Sequence, residues 1–307
     1  MITLPRPSAV VFSAGGARCA AQVGMLDVLQ EAGYVPDLSV GCSFGALNAA
    51  AAAVPGTGQV ADLSDMWHAI AGDSPFSSPT QAIVRQLGRR TAKSTAEWRE
   101  TIAVGVPAAH FDELTHPVHV VASDLEAGET TMLHGGSLPA ALAAATAMPL
   151  ILPPVEHDKR LLVDGSFTEG MPVHRALALG ARSIVVLDVG GTTVPEPEVG
   201  DLRWWQVGAT AYSHLVRAQV GPDVTESASQ VPIVVLSTDA GNILDFSDPE
   251  AMFDAGRVAA GAIASLADTE EAGLYGIPVG FEEYPPFEPL VRQHLKPAAM
   301  PSSPQGE

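Results

Sequence analysis

Leu38-Ser39-Val40-Gly41-Cys42-Ser43-Phe44-Gly45-Ala46-Leu47-Asn48 passes from a short apolar run, through a GxSxG pentapeptide, into an alanine-rich segment. The pattern predicts a strand over 38–40 and a helix over 46–54 that Pro55-Gly56 ends. A sharp strand-to-helix turn needs small residues on both sides of the serine because its backbone is tight. It also exposes Oγ at a helix N-terminus, where free N–H groups and the dipole stabilise negative charge. The pentapeptide alone fits two readings: a nucleophile on a strained turn, or a glycine-rich βα turn with a capping serine.

The same alternation continues on either side. A strand is expected over 9–13 and a helix over 20–32, with Val23, Leu26 and Leu29 on one face and Gly33 as its stop. Further strands are expected over 116–123, 129–133, 160–163, 183–187 and 231–236, and helices over 139–147, 173–179 and 250–266. The last helix carries Met252, Ala255, Ala259, Ile263 and Leu266 in one stripe, which should pack against the sheet. Strands alternating with helices in this way predict an α/β fold around a mainly parallel sheet. Residues 62–115 break the rhythm with helical patterns around Trp67 and over 81–104 and no strand between them. They predict a helical insertion, a candidate cap. A single domain is expected over 1–290, with 291–307 as a loose C-terminal tail.

Composition narrows the class. Of 307 residues 47% are hydrophobic and 17% charged, against about 25% charged in an average globular chain, which excludes disorder as the main state. Thirty-five acids against 16 bases leave a net charge of −19, which repels phosphate polymers and anionic head groups. Nucleic acid is therefore not expected as a partner, and membrane contact is expected to be peripheral at most. The charge is uneven: Arg85, Arg89, Arg90, Lys93 and Arg99 cluster in the insertion, either as a solvated helix face or as a surface for an anionic partner. The uncharged stretches 38–61 and 138–155 are too rich in Pro, Gly or polar residues for lipid-exposed helices. Residues 9–12 read as a first strand rather than a signal-peptide core, and only two cysteines, Cys19 and Cys42, are present. A cytoplasmic location is expected, with no disulfide scaffold.

Three features carry possible chemistry. Ser43 is the candidate nucleophile. Gly15-Gly16, joining the first strand to the first helix, could turn two backbone N–H groups into one space, as an oxyanion hole requires. A phosphate loop lacks support, since neither Lys-Ser/Thr nor GxGxxG spacing is present, while a plain structural turn stays open. Asp164 follows the apolar strand over 160–163, where its carboxylate would emerge at a sheet edge; an ordinary Asp-Gly turn is the alternative. None of the nine histidines sits in a context that marks it as a base, and His116 and His119 should face opposite sides of their strand, against a shared metal.

Several blocks together resemble the patatin-like phospholipases. Residues 11–26, VFSAGGARCAAQVGML, are similar to that family's oxyanion block, and 41–50, GCSFGALNAA, to its nucleophile elbow. Residues 145–155 followed by 162–173, LVDGSFTEGMPV, resemble the block that ends in its catalytic Asp-Gly, and 121–129 resembles another of its strand-and-turn segments. The resemblance implies a three-layer α/β/α fold and a lipid acyl hydrolase acting on phospholipid or other lipid esters through a Ser-Asp dyad. No cofactor and no metal ligand is assigned from the sequence. Ser43 would be the nucleophile and Asp164 the base, with backbone N–H groups of Gly15, Gly16 and Phe44 holding the oxyanion. Arg18 would brace the loop or meet a polar head group. The sequence departs from the family pattern at Ala14 and Cys19, which replace glycines, and at Ser166, where Gly or Ala is common. These departures keep a second reading open, a binding or scaffold protein without catalysis. A third is a Ser-His-Asp esterase using a late histidine such as His214. Oligomeric state is left open.

Overall fold

The first strand, β1 (Ser8–Phe12), is buried at every position, and so is the next, β2 (Leu38–Cys42). Strands covered on both faces belong to parallel sheets flanked by helices. The computed structural model describes residues 3–56, 60–73, 95–149, 151–190, 204–239, 241–261 and 269–276, and it has that architecture. The remaining strands are β3 (Val118–Asp124), β4 (Thr130–Leu133), β5 (Val155–His157), β6 (Arg160–Asp164), β7 (Ser183–Asp188), β8 (Pro232–Ser237) and β9 (Gly273–Tyr275). They form one sheet in the order β5-β6-β3-β2-β1-β7-β8-β9, with β4 also on β3. The pairings β2–β3, β1–β2, β1–β7, β7–β8 and β8–β9 are parallel, while β4, β5 and β6 pair antiparallel at one side.

The helices are α1 (Ala21–Glu31), α2 (Phe44–Ala51), α3 (Val60–Asp73), α4 (Thr95–Gly105), α5 (Leu138–Ala145), α6 (Val173–Ala178), α7 (Trp204–Ala218), α8 (Val220–Ala228) and α9 (Pro249–Ala260). Strand pleating divides the core between them. Val10, Phe12, Leu187 and Leu236 point into a core shared with α1 to α5 and α9. Ala9, Val11, Val40, Val186 and Ile233 point the other way, towards α6 and α8. The result is the three-layer α/β/α arrangement, in which each buried Val or Leu contributes about 1.5–3 kcal/mol.

The strands expected from sequence all form, with ends shifted by a residue or two. Two helices, α7 and α8, and the three-residue strands β5 and β9 have no counterpart in the sequence reading. The last helix differs in its buried face. Phe253, Gly256 and Ala260 are buried, whereas Met252, Ala255 and Ala259 are only partly so. The reason is close packing on α1: a β-carbon on Gly256 would lie 1.8 Å from the Ala21 carbonyl oxygen, and one on Gly24 1.9 Å from that of Phe253. Periodicity of large apolar residues does not register a contact made by backbone. Ile263 and Leu266 lie outside the described residues, as do Arg85, Arg89, Arg90 and Lys93 of the insertion and the whole of 291–307. Within the described part of the insertion, α3 and α4 are helical and residues 106–115 return to the sheet without a further α-helix. Among the described residues, no helix is long and apolar enough to cross a membrane.

Candidate active site

β2 ends at Cys42 and α2 begins at Phe44, so Ser43 alone makes the turn, with φ 54° and ψ −133°. Positive φ in a residue with a β-carbon costs about 1–3 kcal/mol and persists only where the surroundings enforce it. They do so here through close approach. A β-carbon on Gly45 would lie 2.5 Å from the Ser13 carbonyl oxygen, and one on Gly41 2.6 Å from Ala46 Cα. The flanking glycines thus let the start of α2 press against both its own strand and the loop after β1. Ser43 is 2% exposed, and its Oγ donates a hydrogen bond of 2.6 Å to Asp164 Oδ2.

Asp164 reaches that position by register. β6 runs antiparallel to β3, so its end faces away from the ends of β1 and β2, yet Asp164 pairs with Ala122. Val121, one residue earlier, pairs with Cys42, one residue before the serine. Asp164 and Ser43 therefore stand level across β3. Ser123 Oγ donates to the Asp164 carbonyl at 2.9 Å, and a β-carbon on Gly165 would collide with the Val121 carbonyl at 2.3 Å. The Asp164 side chain is fully buried. Burial pushes its pKa up, while hydrogen bonds from the Ser166 hydroxyl, Ser43 and the Ser166 N–H hold it back, and the net shift is upward. A carboxyl shifted upward is a stronger proton acceptor than one at about 3.9.

The loop after β1 is held from above by the 241–243 segment. Gly16 has φ +59°, and a β-carbon there would lie 2.3 Å from the Ile243 carbonyl oxygen. Ala14 N–H donates to Gly170 at 2.7 Å, Ala17 N–H to Ile243 at 2.9 Å and Arg18 N–H to Gly15 at 3.2 Å. Arg18 is 4% exposed and donates from Nε to the Gly241 carbonyl at 3.0 Å. Burial lowers its pKa, against the opposing pull of Asp239 and Asp188.

A buried polar chain supports this assembly from below. Trp67 Nε1 on α3 donates to Asn48 Oδ1 on the elbow helix at 2.9 Å. Asn48 Nδ2 donates to the Cys19 carbonyl and to Gln22 Oε1, both at 2.8 Å. Gln22 Nε2 in turn donates to the carbonyls of Ser13 at 2.9 Å and Leu187 at 3.1 Å. Phe44 is ringed by Trp67, Trp98 and Phe246 at centroid distances of 5.8, 6.0 and 5.3 Å. Both described helices of the insertion therefore dock on the elbow. Gln22 and Asn48 are not among the residues expected at the site, although a lone polar residue on the apolar stretch of each helix is a visible signal.

Cys19 and Cys42 are free and fully buried. Burial, with a further push from Asp164, raises both pKa values well above the ordinary thiol range. Iodoacetamide should leave both unlabelled in the folded protein and label both after unfolding, read by intact mass; labelling of either in the folded state would refute their inertness. The histidines are spread over other partners: His68 with Glu250, His116 with Ser39, His157 with Asp158 and His174 with Glu169. The rings of His119 and His134 lie 5.2 Å apart, and His214 is exposed on α7. His294 is outside the described residues. Among the described residues no three His, Cys, Asp or Glu side chains are grouped to hold a metal ion.

The family described as patatin-like phospholipase matches residues 10–177, and the chain belongs to that family. It is 28% identical over 279 residues to an uncharacterized NTE family protein of Mycobacterium bovis, covering 84% of this chain and 46% of that protein. It is 25% identical over 204 residues to the lysophospholipase NTE1 of Cryptococcus neoformans, covering 64% of this chain and 12% of that one. The chain spans about half the length of the mycobacterial relatives it matches. The solved structure of VipD from Legionella pneumophila superposes with a TM-score of 0.43 and 12% identity over 84% of this chain and 67% of its own.

Proposed function

We propose that this chain is a lipid acyl hydrolase that cleaves carboxylic esters of phospholipids or related lipids, with Ser43 as nucleophile and Asp164 as its base. The observation that carries this reading is the buried 2.6 Å hydrogen bond from Ser43 Oγ to Asp164 Oδ2, on an elbow that strains the serine. Membership of the patatin-like phospholipases and the lysophospholipase name of one relative support the lipid ester as substrate.

Asp164 Oδ2 takes the Ser43 proton as Oγ attacks the ester carbonyl carbon. The backbone N–H groups of Gly15, Gly16 and Phe44 hold the oxyanion that forms, and Arg18 braces their loop through Gly241. Collapse of the tetrahedral intermediate breaks the ester C–O bond, and the proton on Asp164 goes to the departing alcohol. Water then gives a proton to Asp164 and attacks the acyl group on Ser43, which leaves as a free fatty acid while Ser43 regains its proton. No metal or cofactor enters these steps. The histidine-based alternative has little to rest on: Ser43 is bonded to a carboxylate, and His214 is exposed on α7.

A fluorophosphonate probe tests the reading and separates it from a scaffold role. One probe should attach per folded chain, at Ser43 by peptide mass spectrometry, and none to Ser43→Ala. An unlabelled Ser43 in folded protein would leave the scaffold reading in its place.

A further inference from the structure

The carboxylate of Asp164 has two oxygens, and only one of them meets Ser43. The other, Oδ1, accepts the Ser166 N–H at 3.0 Å and the Ser166 hydroxyl. The Ser166 hydroxyl is in turn bonded to the Tyr212 hydroxyl, brought in by α7 from 46 residues downstream. Directions follow from the proton count. A carboxylate can only accept, so Ser166 gives its single hydroxyl proton to Oδ1, and the proton between Ser166 and Tyr212 must then come from Tyr212. Tyr212 is itself fixed against this turn, its ring 5.2 Å from that of Phe167, and Gln219 Nε2, from the residue that joins α7 to α8, donates to the Phe167 carbonyl at 3.3 Å.

From this geometry we infer that Ser166 and Tyr212 are positioning residues for proton transfer between Ser43 and Asp164, acting as a hydroxyl chain that saturates Oδ1 and leaves Oδ2 to receive the proton. The inference rests on Ser43 and Asp164 being nucleophile and base. Two donors on Oδ1 lock the carboxylate plane and so hold Oδ2 on Ser43. They also favour the ionised form, which the base must have before it can act, and so oppose the effect of burial. Tyr212 does not touch the carboxylate. It acts through Ser166 by orienting that hydroxyl and polarising it.

The test is the pH profile of kcat/KM on p-nitrophenyl butyrate, for wild type, Ser166→Ala, Ser166→Thr, Tyr212→Phe and the Ser166→Ala/Tyr212→Phe double variant, with active sites counted by fluorophosphonate. The acid limb reports ionisation of the base, and activity rises with pH through it. Ser166→Ala removes a donor to the charged form, so its limb should move to higher pH by about one unit, the worth of one hydrogen bond to a charged group. Its kcat at the plateau should fall about tenfold with KM changed by less than about twofold. Tyr212→Phe should move the limb the same way by less, the double variant should match Ser166→Ala alone, and Ser166→Thr should restore the wild-type limb. A residue that merely supports the fold would lower the count of active sites or the melting temperature without moving the limb. Turnover that depends on Ser43, with limbs unmoved in both Ser166→Ala and Tyr212→Phe, would overturn this inference alone. Absence of such turnover in the wild type would overturn the proposed function with it. Should Ser166→Ala fail to fold, Tyr212→Phe decides.

Discussion

Ser43→Ala and Asp164→Asn are each expected to lower kcat/KM on lipid and p-nitrophenyl esters by about 10³-fold or more while leaving the chain folded. Alanine has no oxygen to attack with. Asparagine has one oxygen, which the two Ser166 donors hold, so its amide nitrogen faces Ser43; that group only donates and cannot take the serine's proton, and the hydroxyl stays a weak nucleophile. Equal turnover in the two variants and the wild type would end the dyad mechanism. Stability should move the other way. Asp164 has its folded pKa raised by burial, above the unfolded value. A carboxyl raised in this way contributes stability below its unfolded pKa of about 3.9 and loses it as pH rises through the folded value. At neutral pH the wild type therefore holds an ionised carboxylate at a cost. Asp164→Asn should melt at or above the wild-type temperature at pH 7, with the difference shrinking in acid. Ser43→Gly, which relieves the φ of 54°, should be more stable than Ser43→Ala by about 1 kcal/mol, measured by denaturant unfolding. Such a pattern, activity lost while stability is kept or gained, marks residues held for chemistry rather than for the fold.

The largest loss of stability is expected at Trp67. Its side chain is 2% exposed, lies 6.3 Å from Phe246 in a near-parallel stack and 5.8 Å from Phe44, and supplies the proton that satisfies Asn48 Oδ1. Trp67→Ala should cost about 3–5 kcal/mol, from lost burial and the cavity left beside Phe44. Trp67→Phe keeps most of the apolar contact and isolates the hydrogen bond; leaving the buried Asn48 oxygen without its donor should cost about 1–3 kcal/mol. The polar chain continues through Asn48 and Gln22 to the Ser13 carbonyl, so both changes should also lower kcat through the loop that carries Gly15 and Gly16. Urea unfolding gives the first quantity and single-turnover acylation the second. A Trp67→Ala variant within about 1 kcal/mol of wild type would show that the insertion does not hold the elbow.

The alternation of strands and helices and the GxSxG turn were legible because both are local. A run such as Ala9-Val10-Val11-Phe12, apolar at every position, has only a strand covered on both sides to go to. Gly41 and Gly45 announced the tight turn for the same reason, since no β-carbon fits where the strand, the helix and the Ser13 loop meet. On α9 the expected Met252 and Ala259 do pack against the core, but the most buried line, Phe253, Gly256 and Ala260, was not legible because Gly24 and Gly256 make its contact through backbone, which hydrophobic periodicity does not weigh. Ser166 stood out in the sequence only as a departure from the family pattern, a reason to question activity. In the folded chain its hydroxyl lies between Asp164 and Tyr212.

The alternation of strands and helices around a mainly parallel sheet, the tight turn at Ser43 and the glycine pair after the first strand follow from residue type and near-neighbour spacing, where steric limits and side-chain period act within a few residues; the layer count and the choice of Asp164 over an ordinary Asp-Gly turn came from the family resemblance. That Ser43 and Asp164 come within hydrogen-bond distance depends on the register of an antiparallel strand against β3, 121 residues along the chain, which no local pattern fixes. The same long-range packing turns Arg18 inward to Gly241, sets Trp67 against the elbow and brings Tyr212 onto Ser166 beside Asp164. Hydrogen bonds between distant residues are chosen by packing, when burial leaves each polar group with one partner in reach, and no local pattern encodes which partner that is.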